Sequence, residues 1–94
     1  MYIDDFIWLP SIVDKLESKH GVMPDEAEEV FFIRPRFRFV ERGIRTDEDV
    51  YSASGPTNGD RYLIVFFILK ENNSALIISA RDMDREERRR YGRK

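Results

Sequence analysis

The stretch RYLIVFFIL, residues 61–69, decides the fold, because its last eight residues are all apolar or aromatic. A run of this length that is apolar on both faces predicts a strand at the centre of a sheet. The Asn-Gly pair at 58–59 predicts a hairpin turn before this strand, and the Asn-Asn pair at 72–73 predicts a turn after it. We therefore expect neighbouring strands at about 49–54 and at 75–80, the second antiparallel to the central strand.

A further strand pattern begins at residue 36. Phe37 and Phe39 alternate with Arg36 and Arg38, which predicts a strand with one apolar face and one basic face. Arg42 is expected to continue the basic face, giving a stripe about 20 Å long at roughly 3.3 Å per residue. Such a stripe is long enough to follow several phosphates, and it suits the acidic part of a protein partner equally well. Solvated surface arginines are the structural alternative.

The first third of the chain predicts a short edge strand at 1–7, followed by two helices. Ser11 is the expected cap of the first helix, and Gly21 is expected to end it in the left-handed conformation. Pro24 suits the first turn of the second helix, and Pro35 stops it. Three side chains of the second helix are expected to face inward, namely Ala27, Val30 and Phe31.

A capping pair, Asp84 and Glu87, predicts a third helix near the C-terminus. This helix carries one large apolar side chain, Tyr91, so we expect it to lie on the surface, on a partner or on RNA. Tyr91 follows Glu87 by one helical turn. Three roles are open to it: anchoring the helix, hydrogen bonding to Glu87, or stacking on a base. Glu86 and Arg90 are expected to form an intrahelical ion pair.

These elements predict an α+β fold in which residues 1–94 form one domain. We expect two N-terminal helices packed on a three- to four-stranded antiparallel sheet, with the C-terminal helix beside the sheet. A chain of 94 residues has room for one modest core and one surface site. A two-domain enzyme with an enclosed cleft is therefore excluded.

The composition argues against several classes of site. The chain has no cysteine and one histidine, so we expect no metal centre and no cofactor. The glycine-containing segment 55–59 lacks the Lys-Ser/Thr ending of a phosphate-binding loop. The apolar run at 62–69 is far shorter than the roughly 20 residues of a membrane helix, and the acidic start does not resemble a signal peptide. We expect a cytoplasmic protein that does not interact with membranes.

The net charge of −2 conceals a strong segregation of charge along the chain. Residues 1–33 carry a net charge of −6, residues 34–45 of +4, residues 46–79 of −3 and residues 80–94 of +3. Arginine supplies 12 of the 16 basic side chains, and its planar fork matches phosphate or carboxylate. Two arginine-rich segments on an acidic body predict a polyanion or an acidic protein as partner.

Several motifs in a fixed order resemble the BrnT family, the toxin halves of type II toxin–antitoxin pairs, which are similar to RelE-fold ribonucleases. The most specific are the Lys-His-Gly-Val segment at 19–22 and the Ile-Ser-Ala-Arg segment at 78–81, followed by an arginine-rich helix. The other matching positions are Trp8, Glu26-Ala27, Val30-Phe31, Arg61-Tyr62-Leu63 and Glu87-Arg88-Arg89-Arg90-Tyr91. The resemblance spans nearly the whole chain.

The resemblance implies an endoribonuclease, a hydrolase that cleaves RNA without a metal and is neutralised by a cognate BrnA-like antitoxin. It also implies that operator DNA is bound only through the antitoxin. A non-catalytic alternative stays open, in which a toxin-like binding module serves as partner or co-repressor of a DNA-binding antitoxin. RNA sequence preference, ribosome dependence and oligomeric state are not readable from the chain.

Metal-free cleavage through the ribose 2′-hydroxyl requires a base, cations for the phosphorane and an acid for the leaving oxygen. The candidate catalytic residues are Lys19, His20, Arg61, Arg81, Glu87 and Tyr91. The candidate RNA-binding residues are Arg36, Arg38, Arg42, Arg85, Arg88 and Arg89. The alternatives are structural: a helix-capping imidazole for His20, ion pairs to carboxylates for Arg61 and Arg81, and the capping box for Glu87.

The chain departs from the family pattern at one place. Many members carry an acidic-x-Arg pattern at the start of the second strand, where this chain has Asp47-Glu48-Asp49 followed by Val50 and Tyr51. A role for an arginine in that strand therefore does not carry over.

Overall fold

The computed structural model describes residues 1–45 and 48–93, and over these ranges the chain forms one sheet with helices on one face and at one end. Asp47, part of the departure from the family pattern, lies outside the described residues. The strands are β1 (Asp5–Ile7), β2 (Arg36–Glu41), β3 (Val50–Pro56), β4 (Tyr62–Lys70) and β5 (Ser74–Asp82). The helices are α1 (Pro10–Lys15), continued by a π-helical turn (Leu16–His20), α2 (Pro24–Ile33) and α3 (Arg85–Gly92), and a 3₁₀ turn (Glu71–Asn73) joins β4 to β5.

The described strands have the order β1-β5-β4-β3-β2, with β4 at the centre as predicted. The α+β class is confirmed, but the expected three- to four-stranded antiparallel sheet is wrong in number and direction. The described residues form five strands, and β1 runs parallel to β5. β1 has only three residues, too few for a periodic pattern, and its partner lies some seventy residues away in the chain. Tertiary pairing alone therefore sets its direction.

The core lies between the helices and one face of the sheet. Leu63, Val65 and Phe67 alternate along β4 and are fully buried, as the period of two requires. Phe31 of α2 meets Phe67 edge to face, with ring centroids 5.2 Å apart. The inward positions predicted for α2, namely Ala27, Val30 and Phe31, are all buried. The side chains on the opposite face of β3 and β4 are therefore not part of this core.

The first helix begins differently from the prediction. Its N-cap is Leu9, which makes no side-chain capping bond, so the assignment of Ser11 as the cap is wrong. Pro10 occupies the first turn instead, where its fixed φ and missing N–H cost nothing. The expectation for Gly21 is confirmed, because it ends the helix with φ 60° and ψ 30°. Its amide donates to the carbonyl of Glu17 at 3.1 Å.

The third helix is capped as predicted. The Asp84 carboxylate accepts from the Glu87 amide at 2.8 Å, and the Glu87 carboxylate accepts from the Asp84 amide at 2.9 Å. The expected Glu86–Arg90 pair is replaced by a pair between Glu86 and Arg89 at 3.0 Å, since residues three apart are also neighbours on a helix. Tyr91 anchors the helix, because its hydroxyl donates to the Arg34 carbonyl at 2.6 Å.

We expect Gly21→Ala to lower the free energy of unfolding by about 1 kcal/mol, because the left-handed conformation strains a residue with a β-carbon. No atom lies within 4 Å of the added methyl group, so a clash would not contribute. Urea unfolding followed by circular dichroism measures the change. Gly92→Ala is the matched control and should leave stability equal or slightly higher, since Gly92 lies in a helix with open space around it. Equal stability of Gly21→Ala and the unmodified chain would contradict the assigned strain.

Candidate functional site

The sheet face opposite the helices carries two rows of side chains that cross the strands. Strand pairing places Arg36, Ser54, Ile64 and Arg81 side by side in the first row. It places Arg38, Ser52, Phe66 and Ser79 side by side in the second row. Arginines stand at both margins of the first row and at one margin of the second, and the middle positions are small or apolar. The face therefore has an apolar floor with cationic edges.

Together with α3, these rows enclose an open depression of about 230 Å³. Four arginines and one glutamate line it, so its formal charge is positive although the whole chain is acidic. The full set of lining residues is Arg36, Arg38, Ser52, Ser54, Ile64, Phe66, Arg81, Met83, Glu87, Arg90 and Tyr91. A basic concavity with an apolar floor suits an anion that carries a flat or apolar group.

Arg81 and Glu87 form the strongest ion pair of the depression. Arg81 Nη1 and Nη2 donate to the two carboxylate oxygens of Glu87 at 2.7 and 2.8 Å, a bidentate arrangement that fixes the guanidinium plane. The hydrogen bonds from Arg81 lower the pKa of Glu87 to about 2. Glu87 is therefore ionised at neutral pH and is a weak base.

The Arg81 fork retains donors for a ligand. Three of its hydrogen bonds go to protein, two to Glu87 and one from Nη1 to the Asp82 carbonyl at 3.2 Å. A guanidinium has five N–H donors, so one on Nε and one on Nη2 stay unused by the described residues. These two donors form the other edge of the fork and match two oxygens of a phosphate.

Arg36 and Tyr91 join β2 to α3 at one side of the depression. Arg36 donates to the carbonyls of Arg90 and Arg93 at the end of the helix, where a cation is favourable. Its guanidinium also lies 5.1 Å from the centre of the Tyr91 ring. The side chains of Arg38 and Arg90 make no hydrogen bond or ion pair with the rest of residues 1–45 and 48–93. Their charges are therefore available to an anion in the depression.

Arg61 forms a second cluster with Glu26 and Asp82, at the end of the sheet where Arg81 also lies. Its guanidinium donates to the His20 and Gly21 carbonyls at 2.8 and 2.7 Å, to both oxygens of Asp82 at 2.7 and 2.9 Å, and to Glu26 at 3.2 Å. These bonds occupy all five donors. They also lower the pKa of Asp82. Arg61 therefore holds the end of the first helix against the sheet.

The structure thus divides the predicted catalytic residues between two places. Arg81, Glu87 and Tyr91 line the depression. His20 and Arg61 lie in the second cluster, and neither lines the depression. Lys19 is exposed at the end of the π-helical turn. Arg61 and Arg81 lie near one end of the sheet. They point to different partners because the successive residues Arg81 and Asp82 face opposite sides of β5.

The predicted RNA-binding arginines divide in a similar way. Arg36 and Arg38 line the depression, whereas Arg42 follows the end of β2, beyond an irregularity between Phe39 and Glu41. That irregularity breaks the period of two on which the long stripe depended. The other three lie on α3 outside the depression: Arg85 beside Asp84, Arg88 with its guanidinium 3.4 Å from the centre of the Tyr62 ring, and Arg89 paired with Glu86.

Sequence reasoning missed several residues of the two clusters. Arg90 was assigned to an ion pair, yet it lines the depression. The sequence predicts strand positions and no further role for Ser52, Ser54 and Phe66. The alternation of Leu63, Val65 and Phe67 along the central strand places Phe66 on the opposite face. The neighbours of Phe66 in the second row depend on strand register. Asp82 belongs to no sequence motif, and Glu26 appears only among the positions that resemble the family, because their contacts with Arg61 depend on the tertiary structure.

Two further properties concern the described residues as a whole, namely the grouping of metal-binding side chains and the length of apolar helices. Within residues 1–45 and 48–93, no group of three or more histidine, cysteine or acidic side chains is arranged to hold a metal ion. No helix in the same ranges is long and apolar enough to cross a membrane.

The chain is similar to a known family and to a solved structure of that family's name. The family model described as a ribonuclease toxin, BrnT, of a type II toxin–antitoxin system matches residues 10–87. The crystal structure of the Brucella abortus ribonuclease toxin BrnT is similar with a TM-score of 0.65 and 22% sequence identity, over 86% of this chain and 97% of that chain. At this identity the structural similarity bears on the fold alone. The comparison with curated proteins gave no match.

We expect Glu87→Gln to lower the free energy of unfolding by about 1 kcal/mol at pH 7, allowing for solvent screening of the partly exposed Arg81. Glutamine retains an oxygen for the Asp84 amide but removes the charge. The pKa of Glu87 falls from 4.5 to about 2 in the fold, so the stabilisation is complete above pH 4.5 and is lost as the pH falls towards 2. Urea unfolding at pH 7, 4 and 2.5 measures the difference between variant and unmodified chain.

Glu86→Gln is the control for this measurement, because Glu86 pairs with Arg89 in an exposed position. Its effect should stay within about 0.5 kcal/mol at each pH. A Glu87→Gln deficit that does not shrink on acidification would mean that the charge of Glu87 is not what stabilises the fold.

Proposed function

Because the chain belongs to the BrnT family of ribonuclease toxins of type II toxin–antitoxin systems, we propose that it cleaves RNA in the depression between the sheet and α3. The observation that carries the proposal is the open edge of the Arg81 fork, held in place by Glu87 inside a basic depression. A phosphodiester is the anion in RNA that such a fork can grip. The toxin acts as an endoribonuclease in the cytoplasm, where RNA and the antitoxin are found together.

Arg81 is the residue that touches the reacting phosphate. In cleavage through the ribose, the 2′-oxygen bonds to phosphorus while the bond to the 5′-oxygen breaks, leaving a 2′,3′-cyclic phosphate and a 5′-hydroxyl. Negative charge grows on the non-bridging oxygens as the phosphorane forms, and preorganised donors there stabilise the transition state. Arg38 and Arg90 add positive charge at the rim of the same depression.

Glu87 acts as a positioning residue in this proposal. Its bidentate contact holds the Arg81 plane so that the remaining edge faces the ligand. A carboxylate with a pKa of about 2 is a poor acceptor for the 2′-hydroxyl proton near neutral pH. We assign both proton transfers to water, since the depression is open to solvent. No metal takes part in this scheme, because the arginines supply the positive charge.

His20 and Arg61 have an indirect role in the proposal, and the exposed Lys19 is given none. Arg61 holds the carbonyls of His20 and Gly21 against the sheet, next to the β5 residue that follows Arg81. Arg61 also binds Asp82. This contact fixes the end of β5 and therefore the backbone position of Arg81. Tyr91 acts in the same indirect way, by anchoring α3 at the Arg34 carbonyl.

The partner implied by the family is an antitoxin, and we propose that it is BrnA-like and covers the depression with an acidic segment. The formal charge of the lining residues favours such a segment. An antitoxin that occupies the arginines excludes RNA from them, so one surface serves both partners. Operator DNA would be contacted by the antitoxin, because the toxin itself is acidic overall.

The weak basicity of Glu87 also favours the second candidate, a non-catalytic module. Glu87, the acid that lines the depression, has its pKa lowered to about 2 by the hydrogen bonds from Arg81, and His20 lies outside the lining. A protein with this surface binds an acidic partner without needing an acid or a base. RNA cleavage by the purified chain decides between the two candidates, because only the first requires it.

We expect Arg81→Ala to reduce RNA cleavage by about 100-fold or more, the loss typical of removing one transition-state donor. His20→Ala should reduce the cleavage rate less than Arg81→Ala does, because the side chain of His20 does not line the depression. Arg45→Ala is the control for charge, since Arg45 is exposed outside the depression. Purified protein on a labelled single-stranded RNA gives the rates, and induced expression in a bacterium gives growth and RNA integrity. Equal rates for Arg81→Ala and Arg45→Ala would overturn the site.

We expect RNA cleavage to proceed at the same rate in excess EDTA as in its absence, because arginine side chains supply all the positive charge in the proposed scheme. The test uses protein dialysed against EDTA, followed by addition of Mg²⁺, Mn²⁺ or Zn²⁺ one at a time. Heat-denatured protein and Arg81→Ala control for a contaminating nuclease. Loss of cleavage in EDTA with recovery on adding one cation would show that the reaction uses a metal.

A further inference from the structure

The floor of the depression exposes an aromatic ring between small side chains. Phe66 has Ser52 opposite it on β3 and Ser79 opposite it on β5. A serine side chain is too short to cover a neighbouring ring, and Phe66 stays partly exposed although it lies on the central strand. Ile64, on the same face of β4, is 8% exposed and extends the apolar floor. The ring is therefore accessible from the depression.

Ser52 gives this floor a polar group without a protein partner. Its residue is only 5% exposed, and its hydroxyl makes no hydrogen bond with the residues the structure describes. No fully enclosed side-chain oxygen or nitrogen in those residues lacks a partner, so this hydroxyl opens into the depression that Ser52 lines. A nearly buried hydroxyl without a protein partner must bond to water or to a ligand, because leaving it unbonded is costly. A ligand with a matching polar group can replace the water at this position.

The ring and the hydroxyl are close to the proposed phosphate site. The Arg81 guanidinium lies over the Phe66 ring, 5.8 Å from its centre, so the two side chains can contact neighbouring parts of one ligand. The depression holds about 230 Å³, less than the roughly 300–1,000 Å³ of pockets for drug-sized ligands. It has room for one flat group beside the phosphate and not for a stacked pair.

We propose that Phe66, Ser52 and Ser54 form a nucleobase subsite, which takes one unstacked base of single-stranded RNA beside the phosphate held by Arg81. Phe66 supplies the surface for the face of the base, and the two serine hydroxyls meet hydrogen-bonding groups on its edge. Exposed bases in single strands are read in this manner, whereas a base inside a duplex is stacked and paired. The inference rests on the proposed function and adds the substrate class, a single strand with one base read in the depression.

The test measures binding, with probes that cannot be cleaved. Fluorescence anisotropy follows 2′-deoxy hexanucleotides, which lack the nucleophile, with adenine, cytosine, guanine or thymine at every position. A hexamer of the same backbone without bases measures the phosphate contribution alone. We expect the best base-containing probe to bind about tenfold or more tightly than the abasic one.

Two variants remove the two parts of the subsite separately. Phe66→Leu keeps the apolar volume but lacks the aromatic face, and its affinity for the best probe should fall towards that of the abasic probe. Ser52→Ala should narrow the difference in affinity between the best and worst bases by about fivefold or more. Phe39→Leu and Ser11→Ala are matched controls, an exposed aromatic on the other face of the sheet and an exposed helical serine, and both should bind as the unmodified chain does. Circular dichroism establishes that each variant is folded.

The outcomes separate the subsite from the proposed function. Equal affinity for abasic and base-containing probes, with weaker binding by Arg81→Ala, would overturn the subsite and leave the phosphate site in place. Unchanged binding by Phe66→Leu and Ser52→Ala would overturn it in the same way. Binding that does not depend on Arg81 would overturn the phosphate site and the subsite together. Should Phe66→Leu not fold, Ser52→Ala and the abasic comparison still decide the question.

Discussion

The alternation of side chains along β4 is the constraint on which the other features depend. Leu63, Val65 and Phe67 point towards the helices and are fully buried. Ile64 and Phe66 point the other way and form the floor of the depression. Because the period of a strand is two, a slip of one residue would exchange these sets and lose the core and the depression together. The same nine residues of β4 therefore hold the fold and present the site.

Arg61 and Arg81 lie near one end of the sheet but differ in role. The difference follows from how many N–H donors of each guanidinium are already bound to protein. All five donors of Arg61 bind protein, and they hold the end of the first helix against β5. Arg81 has an edge of its fork left over after binding Glu87 and the Asp82 carbonyl. The two side chains are of the same type and come from positions near one another, yet only Arg81 can grip a phosphate bidentately without first breaking a protein contact.

The sheet also separates the charges of the chain in space. The acidic segment 1–33 forms β1 and the helices that cover one face, whereas Arg36, Arg38 and Arg81 lie on the other. An anionic partner is attracted to the arginine-rich face and repelled from the helical one, so the field of the protein favours approach from one side. A net charge of −2 hides this polarity, which suits both RNA and an acidic antitoxin segment.

The sequence by itself determined the local elements and the family. The central strand, the left-handed Gly21, the inward face of α2 and the capping box of α3 all follow from patterns within a few residues of one another. The same holds for the arginine-rich segments, whose charge is a property of composition. The family resemblance rests on ordered short motifs such as Lys-His-Gly-Val at 19–22, which are likewise visible without a structure.

Only the tertiary structure decided how these elements meet. β1 pairs with a strand some seventy residues away and in parallel, and Leu9 rather than Ser11 is the N-cap of the first helix. The separation of His20 from Arg81, and the meeting of Ser52 with Phe66, depend on which strands are neighbours and in what register. The physical reason is that hydrogen bonds between strands and ion pairs between distant segments have no local signature in the chain. They form where burial of the two faces of β4 brings their partners together.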